Sequence, residues 1–263
     1  MKTYSNILIC PVCNHKLNKR DHQYICENKH SFDVSKEGYT NLLLKSSKHS
    51  GDCKSMVEAR RAFLECNHYK PLQDALIELL KEKQPQIIVD AGCGEGYYTN
   101  TIAEHLNSEL YAFDMSKNAL RYAAKRTNIV HYFLASIFQL PIHDHSVDVI
   151  LNIFAPSATN EFKRILKKEG ILIKVDPGSD HLWELKDLLY EKAYKNEEKQ
   201  LNEFTVLDTK EIKYTLSLTN KELLNLYEMT PYSFKTAKSA KENLIMVNNF
   251  DVTIHFILYT YQG

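Results

Sequence analysis

The 263-residue chain is poor in glycine (8) and proline (7), has one tryptophan, and carries no net charge, since 33 Lys+Arg balance 33 Asp+Glu. So few chain-breakers exclude a collagen-like or low-complexity disordered protein. Zero net charge leaves no whole-chain pull toward nucleic acid or membrane. No apolar run approaches the roughly 18–20 residues that span a bilayer. No signal-like apolar core lies between Met1 and Cys10, so the six cysteines are expected in the reducing cytoplasm, where thiols bind metal more often than they pair. What is present is ordinary for a globular protein: 44% hydrophobic, 25% charged and 11% aromatic residues, enough for one large domain or one domain with a small attachment.

The charges are unevenly placed. Residues 1–70 hold 12 basic and 7 acidic side chains, and residues 71–263 hold 21 and 26. A basic front joined to a mildly acidic body points to an anionic partner at the front. The same region carries Cys10-Pro-Val-Cys13, then twelve residues, then Cys26 and, after three more, His30. Two pairs at this spacing let tight turns present four ligands to one tetrahedral zinc. A core of about 30–40 residues is too small to hold itself by apolar burial, so metal ligation is expected to supply much of its folding free energy. Four protein ligands leave no open position, so the zinc is expected to be structural. His15 and His22 are the substitutes should His30 not be the fourth ligand. Cys53, Cys66 and Cys93 lack paired spacing and read as small buried residues or spectators.

Residues 40–55 turn polar and read as a connector. Met56–Cys66 and Leu72–Leu80 are helical by spacing, the second with Leu72, Ala75, Leu76, Leu79 and Leu80 on one face. From residue 86 strands alternate with helices: Ile87–Val89, then Tyr97–Leu106; Leu110–Phe113, then Asn118–Arg126; Val130–Leu134; Val147–Ile153; a helix containing Glu161–Lys167; and Ile171–Val175. Lys213–Leu218 and Val252–Tyr261 are strand-like and can complete the sheet. The pattern implies an α/β fold with a mostly parallel, Rossmann-like sheet and ligands at the strands' C-terminal edge. Between the first strand and helix lies Gly92-x-Gly94-x-Gly96, not the G-x-G-x-x-G of a dinucleotide site. This spacing suits S-adenosylmethionine, which has no pyrophosphate and needs a tight glycine turn around its methionine end. An acid for the ribose hydroxyls fits Asp114, 24 residues past Asp90, and Ala135-Ser136 fall beside the adenine. The expected division is a zinc-binding module over 1–40, a linker with helices over 41–83, and a class I S-adenosylmethionine-dependent methyltransferase domain over 84–263.

The joint order of these motifs resembles the bacterial 23S rRNA (guanine-N1)-methyltransferases of the RlmA/TlrB type. The carrying segments are the Cys10–His30 knuckle, Lys36-Glu-Gly-Tyr-Thr-Asn-Leu-Leu43, Glu58-Ala-Arg-Arg-Ala-Phe-Leu64 with His68-Tyr69, Asp90-Ala-Gly-Cys-Gly-Glu-Gly-Tyr-Tyr-Thr99, Ile153-Phe-Ala-Pro156, Pro177-Gly178 with His181, and Met229-Thr-Pro231. The resemblance implies a cytoplasmic, homodimeric enzyme that methylates a guanine in a hairpin loop of 23S rRNA, with structural zinc and S-adenosylmethionine as its cofactors. By position it places zinc on Cys10, Cys13, Cys26 and His30. Its cofactor contacts fall on Tyr69, Tyr98, Thr99 and His181, beside the general positions Gly92, Gly94, Glu95, Gly96, Asp114 and Met115.

Guanine N1 lies on the Watson–Crick edge, so the base must be unpaired or flipped. Asn152-Ile-Phe-Ala-Pro156 loosely echoes the Asn/Asp-Pro-Pro-aromatic element of related methyltransferases, which makes Phe154 a stacking candidate and either Asn152 or the Ala155 carbonyl an edge contact. No proton acceptor is assignable, and Asp148 reads as structural. Arg60 and Arg61, with Lys45, Lys48 and Lys54, are candidates for RNA phosphates. Two rivals share the fold: a small-molecule methyltransferase, which leaves the zinc module idle, and a non-catalytic RNA-binding or ribosome-assembly protein.

Overall fold

The computed structural model describes residues 7–44, 52–236 and 238–263, with backbone alone for 238–240; Lys45 and Lys48 lie outside the described residues. The front forms a small antiparallel sheet, β1 (Asn18–Arg20), β2 (Gln23–Ile25) and β3 (Ser31–Asp33). Next, β4 (Tyr39–Asn41) leaves it to pair parallel with a strand of the main sheet. Two helices follow, α1 (Lys54–Leu64) and α2 (Lys70–Lys83). Pro71 sits in the first turn of α2, where its missing N–H costs no helical hydrogen bond.

The repeating part runs β5 (Ile87–Ala91), α3 (Tyr97–His105), β6 (Glu109–Asp114), α4 (Lys117–Arg126), β7 (Val130–Leu134), β8 (Val147–Ile153), α5 (Thr159–Ile165) and β9 (Leu166–Pro177). It closes with α6 (Trp183–Leu189), β10 (Thr205–Thr219), α7 (Asn220–Glu228), α8 (Tyr232–Lys235), α9 (Lys238–Ile245) and β11 (Asn249–Gln262). Among the described residues the main sheet has eight strands in the order β10-β11-β9-β8-β5-β6-β7-β4. Strands β4 to β9 pair parallel, and β11 joins β9 antiparallel with β10 outside it. The chain order reverses at β5, where β6 lies on one side and β8 on the other. An open α/β sheet places its ligand crevice at such a switch point.

The structure differs from the sequence reading at several points, among them helices α6 to α9, which the periodicity past Val175 does not place. The helix expected to reach Lys167 stops at Ile165, because Leu166 already pairs with Val147 as β9 begins. Strand β10 is more than twice the expected length; only its second half, from Ile212, alternates in burial, and the rest is exposed and carried by pairing with β11. Cys53 and Cys66 are exposed rather than buried.

The core lies in two layers, one on each sheet face. Helices α1, α2, α3, α4, α6 and α7 cover one, packing on Ile88, Leu110, Ala112 and Val149. On the other face α5 shares the cover with the front module, whose Leu8, Leu17 and Tyr24 pack with Phe113, Phe133 and Ile142. A backbone bridge joins Leu8 to Ile142. The Tyr24 ring meets Phe133 edge-on at 5.4 Å, and its hydroxyl lies 3.3 Å from His131 Nδ1, whose ring burial pushes down to about 4 and so keeps neutral. The module is thus a facing layer of the sheet, and its stability does not rest on metal alone.

Removing the Tyr24 ring should therefore unsettle the whole protein. Tyr24→Ala is expected to cost about 3 kcal/mol, as for other buried aromatics, and to lower the melting temperature by roughly 10 °C. A melting curve identical to wild type would contradict the shared layer.

Candidate functional site

Two sites are built from these elements. The first is at the front. Two tight turns, each closed by a backbone hydrogen bond (Asn14 N to Cys10 O, 2.8 Å; Lys29 N to Cys26 O, 3.0 Å), carry left-handed residues at Asn14 and Lys29. They bring Cys10, Cys13, Cys26 and His30 together, with all four ligand atoms within 4.8 Å of one another. His30 Nδ1 lies 3.6 Å from Cys10 Sγ and 3.4 Å from Cys26 Sγ, and Cys13 Sγ lies 3.7 Å from Cys26 Sγ. Tetrahedral zinc with bonds of about 2.0–2.3 Å spaces its ligands about 3.3–3.8 Å apart, so the donor set fits the ion. The backbone amide of His15 pulls the Cys13 thiol down to about 6, toward the thiolate that a metal needs. His15 itself turns its Nδ1 to the Cys13 carbonyl, 3.0 Å away, and stands outside the cluster.

The second site is a cavity of about 600 Å³ outside the C-terminal ends of β5, β6, β8 and β9. Its floor is the turn after β5. Gly92 and Gly94 take positive φ there, +99° and +55°. A Cβ on Gly92 would meet the Ala155 methyl at 2.6 Å, so only glycine fits; Gly94 faces the cavity, with Arg60 Nη1 nearest at 3.9 Å. Asp114, ending β6, holds this turn: Oδ2 accepts from Gly94 N at 2.8 Å and Oδ1 from Ser116 N at 2.6 Å. Burial raises its pKa while the two amides oppose the rise. Asp90 also borders the cavity. Burial raises it to about 7, although Thr99 Oγ1 donates to it at 2.5 Å.

The opposite wall is aromatic. Tyr69 is buried, its ring edge-on to Phe256 at 4.8 Å and to Phe63 at 5.4 Å. It is therefore a fixed wall of the cavity. Phe154 remains 40% exposed, takes φ +52°, and packs at 5.1 Å on Phe256. Such a conformation is uncommon for a bulky residue and persists only where neighbours impose it. Asn152, fully buried, imposes it: its Nδ2 donates to the carbonyls of Ala91 (3.2 Å) and Pro156 (3.0 Å), and its Oδ1 accepts from Ser157 (3.0 Å). His181 Nδ1 accepts from His255 N at 3.2 Å, and burial pushes the ring down to about 3. The ring is neutral, with its proton on Nε2.

Most of the expected cofactor positions border the cavity: Tyr69, Gly92, Gly94, Glu95, Tyr98, Asp114, Met115 and His181; the stacking candidate Phe154 borders it too. Glu95 does so while ion-paired with Arg126. Five expected residues do not border it. Thr99 is turned inward to Asp90, Gly96 packs against Ala123 of α4, and Asn152 is spent on loop carbonyls. The Ala135 amide bonds Asp114 O, Ser136 Oγ accepts from Phe138 N, and Ile137 and Phe138 take the wall in their place.

The two arginines part. Arg60 turns into the cavity wall, paired with Asp52 and donating to Met229 O at 3.3 Å, whereas Arg61 pairs with Glu65 at 2.7 Å and lies 5.1 Å over the Tyr122 ring. Asp52, Met56, Thr230 and Tyr232 line the cavity without having been singled out; Met229-Thr-Pro231 was the one sequence signal near them. Asp148 caps the amides of Gln86 and Ile87 at the far end of the sheet, a structural role.

Buried and partnerless hydroxyls on Tyr97 and Tyr98, both at the cavity wall, offer polar atoms that a polar ligand would satisfy. Residues 8–51 match the family described as RlmA, N-terminal, and residues 82–231 match the one described as methyltransferase domain. The 23S rRNA (guanine(748)-N(1))-methyltransferase of Streptomyces fradiae is 34% identical over 245 residues, 89% of this chain and 88% of its own. The chain belongs to the 23S rRNA (guanine-N1)-methyltransferase family. YxjB of Bacillus subtilis (strain 168), provisionally named for the same activity, is 32% identical over 263 residues, 93% of each chain. A malonyl-[acyl-carrier protein] O-methyltransferase of Buchnera aphidicola is 31% identical, over only 56% of this chain. As in its family, the chain joins a zinc ribbon to a methyltransferase domain whose cofactor is S-adenosylmethionine, and the zinc cluster and the cavity answer to these two groups.

A cationic ligand end beside Asp90 should couple binding to its ionisation. The carboxyl, raised to about 7, is protonated below that pH in the free protein, so S-adenosylmethionine affinity is expected to fall about tenfold from pH 8 to pH 6. Asp90→Asn should flatten the dependence. Calorimetric titration at pH 6, 7 and 8 checks it, and equal slopes in both proteins would refute the coupling.

Proposed function

We propose that this protein transfers the methyl group of S-adenosylmethionine to N1 of a guanine in a hairpin loop of 23S rRNA, in the cytoplasm and as a homodimer. No helix among the described residues is long and apolar enough to cross a membrane. The observation that carries the reading is Phe154: an aromatic ring held exposed in a left-handed backbone, at the wall of a cofactor cavity, in a chain that also keeps the zinc ribbon. A small-molecule enzyme has no use for the ribbon, and a non-catalytic scaffold has none for the Asp114-held glycine turn.

In this reading S-adenosylmethionine supplies a methyl group on a sulfonium, already a good leaving group, so alignment does most of what the protein must do. Asp114 takes the ribose hydroxyls on the carboxylate lone pairs that Gly94 and Ser116 leave open. Tyr98, Glu95, Asp90 and the amides opening α3 would hold the methionine end. Met115 and Ile137 would hold the adenine, and Tyr69 and His181 close the aromatic side of the cavity. Phe154 stacks on the guanine, and its loop is fixed by Asn152, whose part is positioning. Stacking on a rigid ring also removes the flipped base from water.

The RNA backbone has a separate surface. Lys36, Lys54, Arg121 and Lys125 surround a depression of about 340 Å³ beside Tyr122 that also holds Glu37, 3.9 Å from Arg121, so the cations outnumber the one acid; Arg61 stacks over the Tyr122 ring. These charges come from the ribbon's end, α1 and α4 together, which makes the ribbon part of substrate selection. Arg60, turned into the cavity, serves the cofactor side. Phosphate contacts of this kind release counterions and make binding salt-dependent.

The test is methyl transfer to 23S rRNA from a strain lacking this protein, followed by mapping. Label in N1-methylguanosine at one position, and a reverse-transcription stop there, is the expected result. Loss of base stacking costs about 1–3 kcal/mol, so Phe154→Ala should lower kcat/KM for RNA roughly tenfold while cofactor affinity changes little. Unlabelled rRNA, or label at another atom, would reject the proposal.

A further inference from the structure

Outside the ribbon and the cavity, one more group of metal-ligating side chains converges among the described residues. The turn after α1 carries Cys66 and His68, on either side of the left-handed Asn67 (φ +61°). It faces the first turn of α7, where His68 Nε2 lies 2.9 Å from Glu222 Oε1. Cys66 Sγ, a His68 ring nitrogen and a Glu222 oxygen all fall within 4.8 Å of one another. Zinc-type coordination needs about 3.3–3.8 Å between donors, a closure on the order of 1 Å by an exposed thiol.

The surroundings orient the donors as outer partners orient ligands elsewhere. Glu222 Oε2 is tied to Thr219 through its amide (2.9 Å) and its hydroxyl (2.6 Å), which leaves Oε1 directed at the cluster. The His68 ring packs on Phe63 at 4.7 Å, which fixes its plane. Burial and the nearby Glu222 carboxylate hold the Cys66 thiol above its usual range. The thiolate and the carboxylate at one point repel each other when both are ionised, and a divalent cation removes that repulsion.

We propose that Cys66, His68 and Glu222 form a second metal site, for a thiophilic divalent cation of the zinc class, with solvent completing the coordination. Thiolate and imidazole together select this class over magnesium or calcium. Binding releases the thiol proton, so it strengthens as pH rises. The ion bridges the end of α1 to the start of α7, the two elements that Arg60 and Met229 join at the cavity wall. It therefore fixes the wall without touching the reacting atoms, and with an open position it exchanges faster than the ribbon's zinc.

The test uses full-length protein with the ribbon zinc in place, titrated with Co²⁺ and followed by thiolate-to-cobalt absorption and by metal content. Wild type should take up one equivalent more than Cys66→Ser, and only that equivalent should carry the additional thiolate band. The exposed Cys66 is replaceable without loss of fold, and any exchange into the ribbon is common to both proteins. Glu222→Gln should keep the band and weaken Co²⁺ binding at least about tenfold. Equal uptake and equal absorption in wild type and Cys66→Ser, or unchanged affinity in Glu222→Gln, would overturn the site.

Discussion

The end of β6 holds the functional half of this protein together. Phe113 O accepts from both Gly92 N and Cys93 N, Asp114 Oδ2 from Gly94 N, Asp114 Oδ1 from Ser116 N, and Asp114 O from Ala135 N. Two adjacent residues thereby fix the glycine turn after β5, the entry to α4 and the exit from β7. Each is a surface-like segment that would otherwise have to satisfy its own backbone groups. The cavity exists because these three segments are held apart around one carboxylate. That carboxylate is half-buried, which costs stability unless its oxygens are engaged, and the amides of Gly94 and Ser116 engage them.

A second constraint follows from the aromatic wall. Phe154, Tyr69, His181 and Phe256 come from four separate segments, three connections and β11, and each ring is within about van der Waals contact of another. Rigidity of this kind suits a reaction in which alignment is the main contribution. The ribbon extends the same logic to the far face. It replaces part of the helical cover there, so zinc ligation, sheet packing and the basic rim at Lys36 are parts of one layer rather than of an appended bead.

Sheet, helices and metal cluster were legible because each is written in local pattern. The β5-turn-α3 passage shows a β-branched run, spaced glycines and a helical period, and Cys10–His30 shows ligand spacing. The misses share a different cause. Thr99 and Asn152 sit beside the cavity in sequence, but their side chains are spent on Asp90 and on the carbonyls of Ala91 and Pro156, a choice made by burial. Arg60 and Arg61 are neighbours in sequence, yet one helical step of about 100° sends the first to the cavity and the second to the surface. The cavity's Asp52 and Tyr232 arrive from remote segments and carry no local signature.

The claim on which the account rests is that Asp114 both shapes the glycine turn and receives the cofactor. Calorimetric titration of S-adenosylmethionine into wild type and Asp114→Asn tests it most directly. Loss of a charge-assisted hydrogen bond costs about 1.5–3 kcal/mol, so the account predicts affinity at least about tenfold weaker in the variant, in a protein that still folds and holds its zinc. Equal affinity in the two proteins would place the cofactor elsewhere and contradict the account.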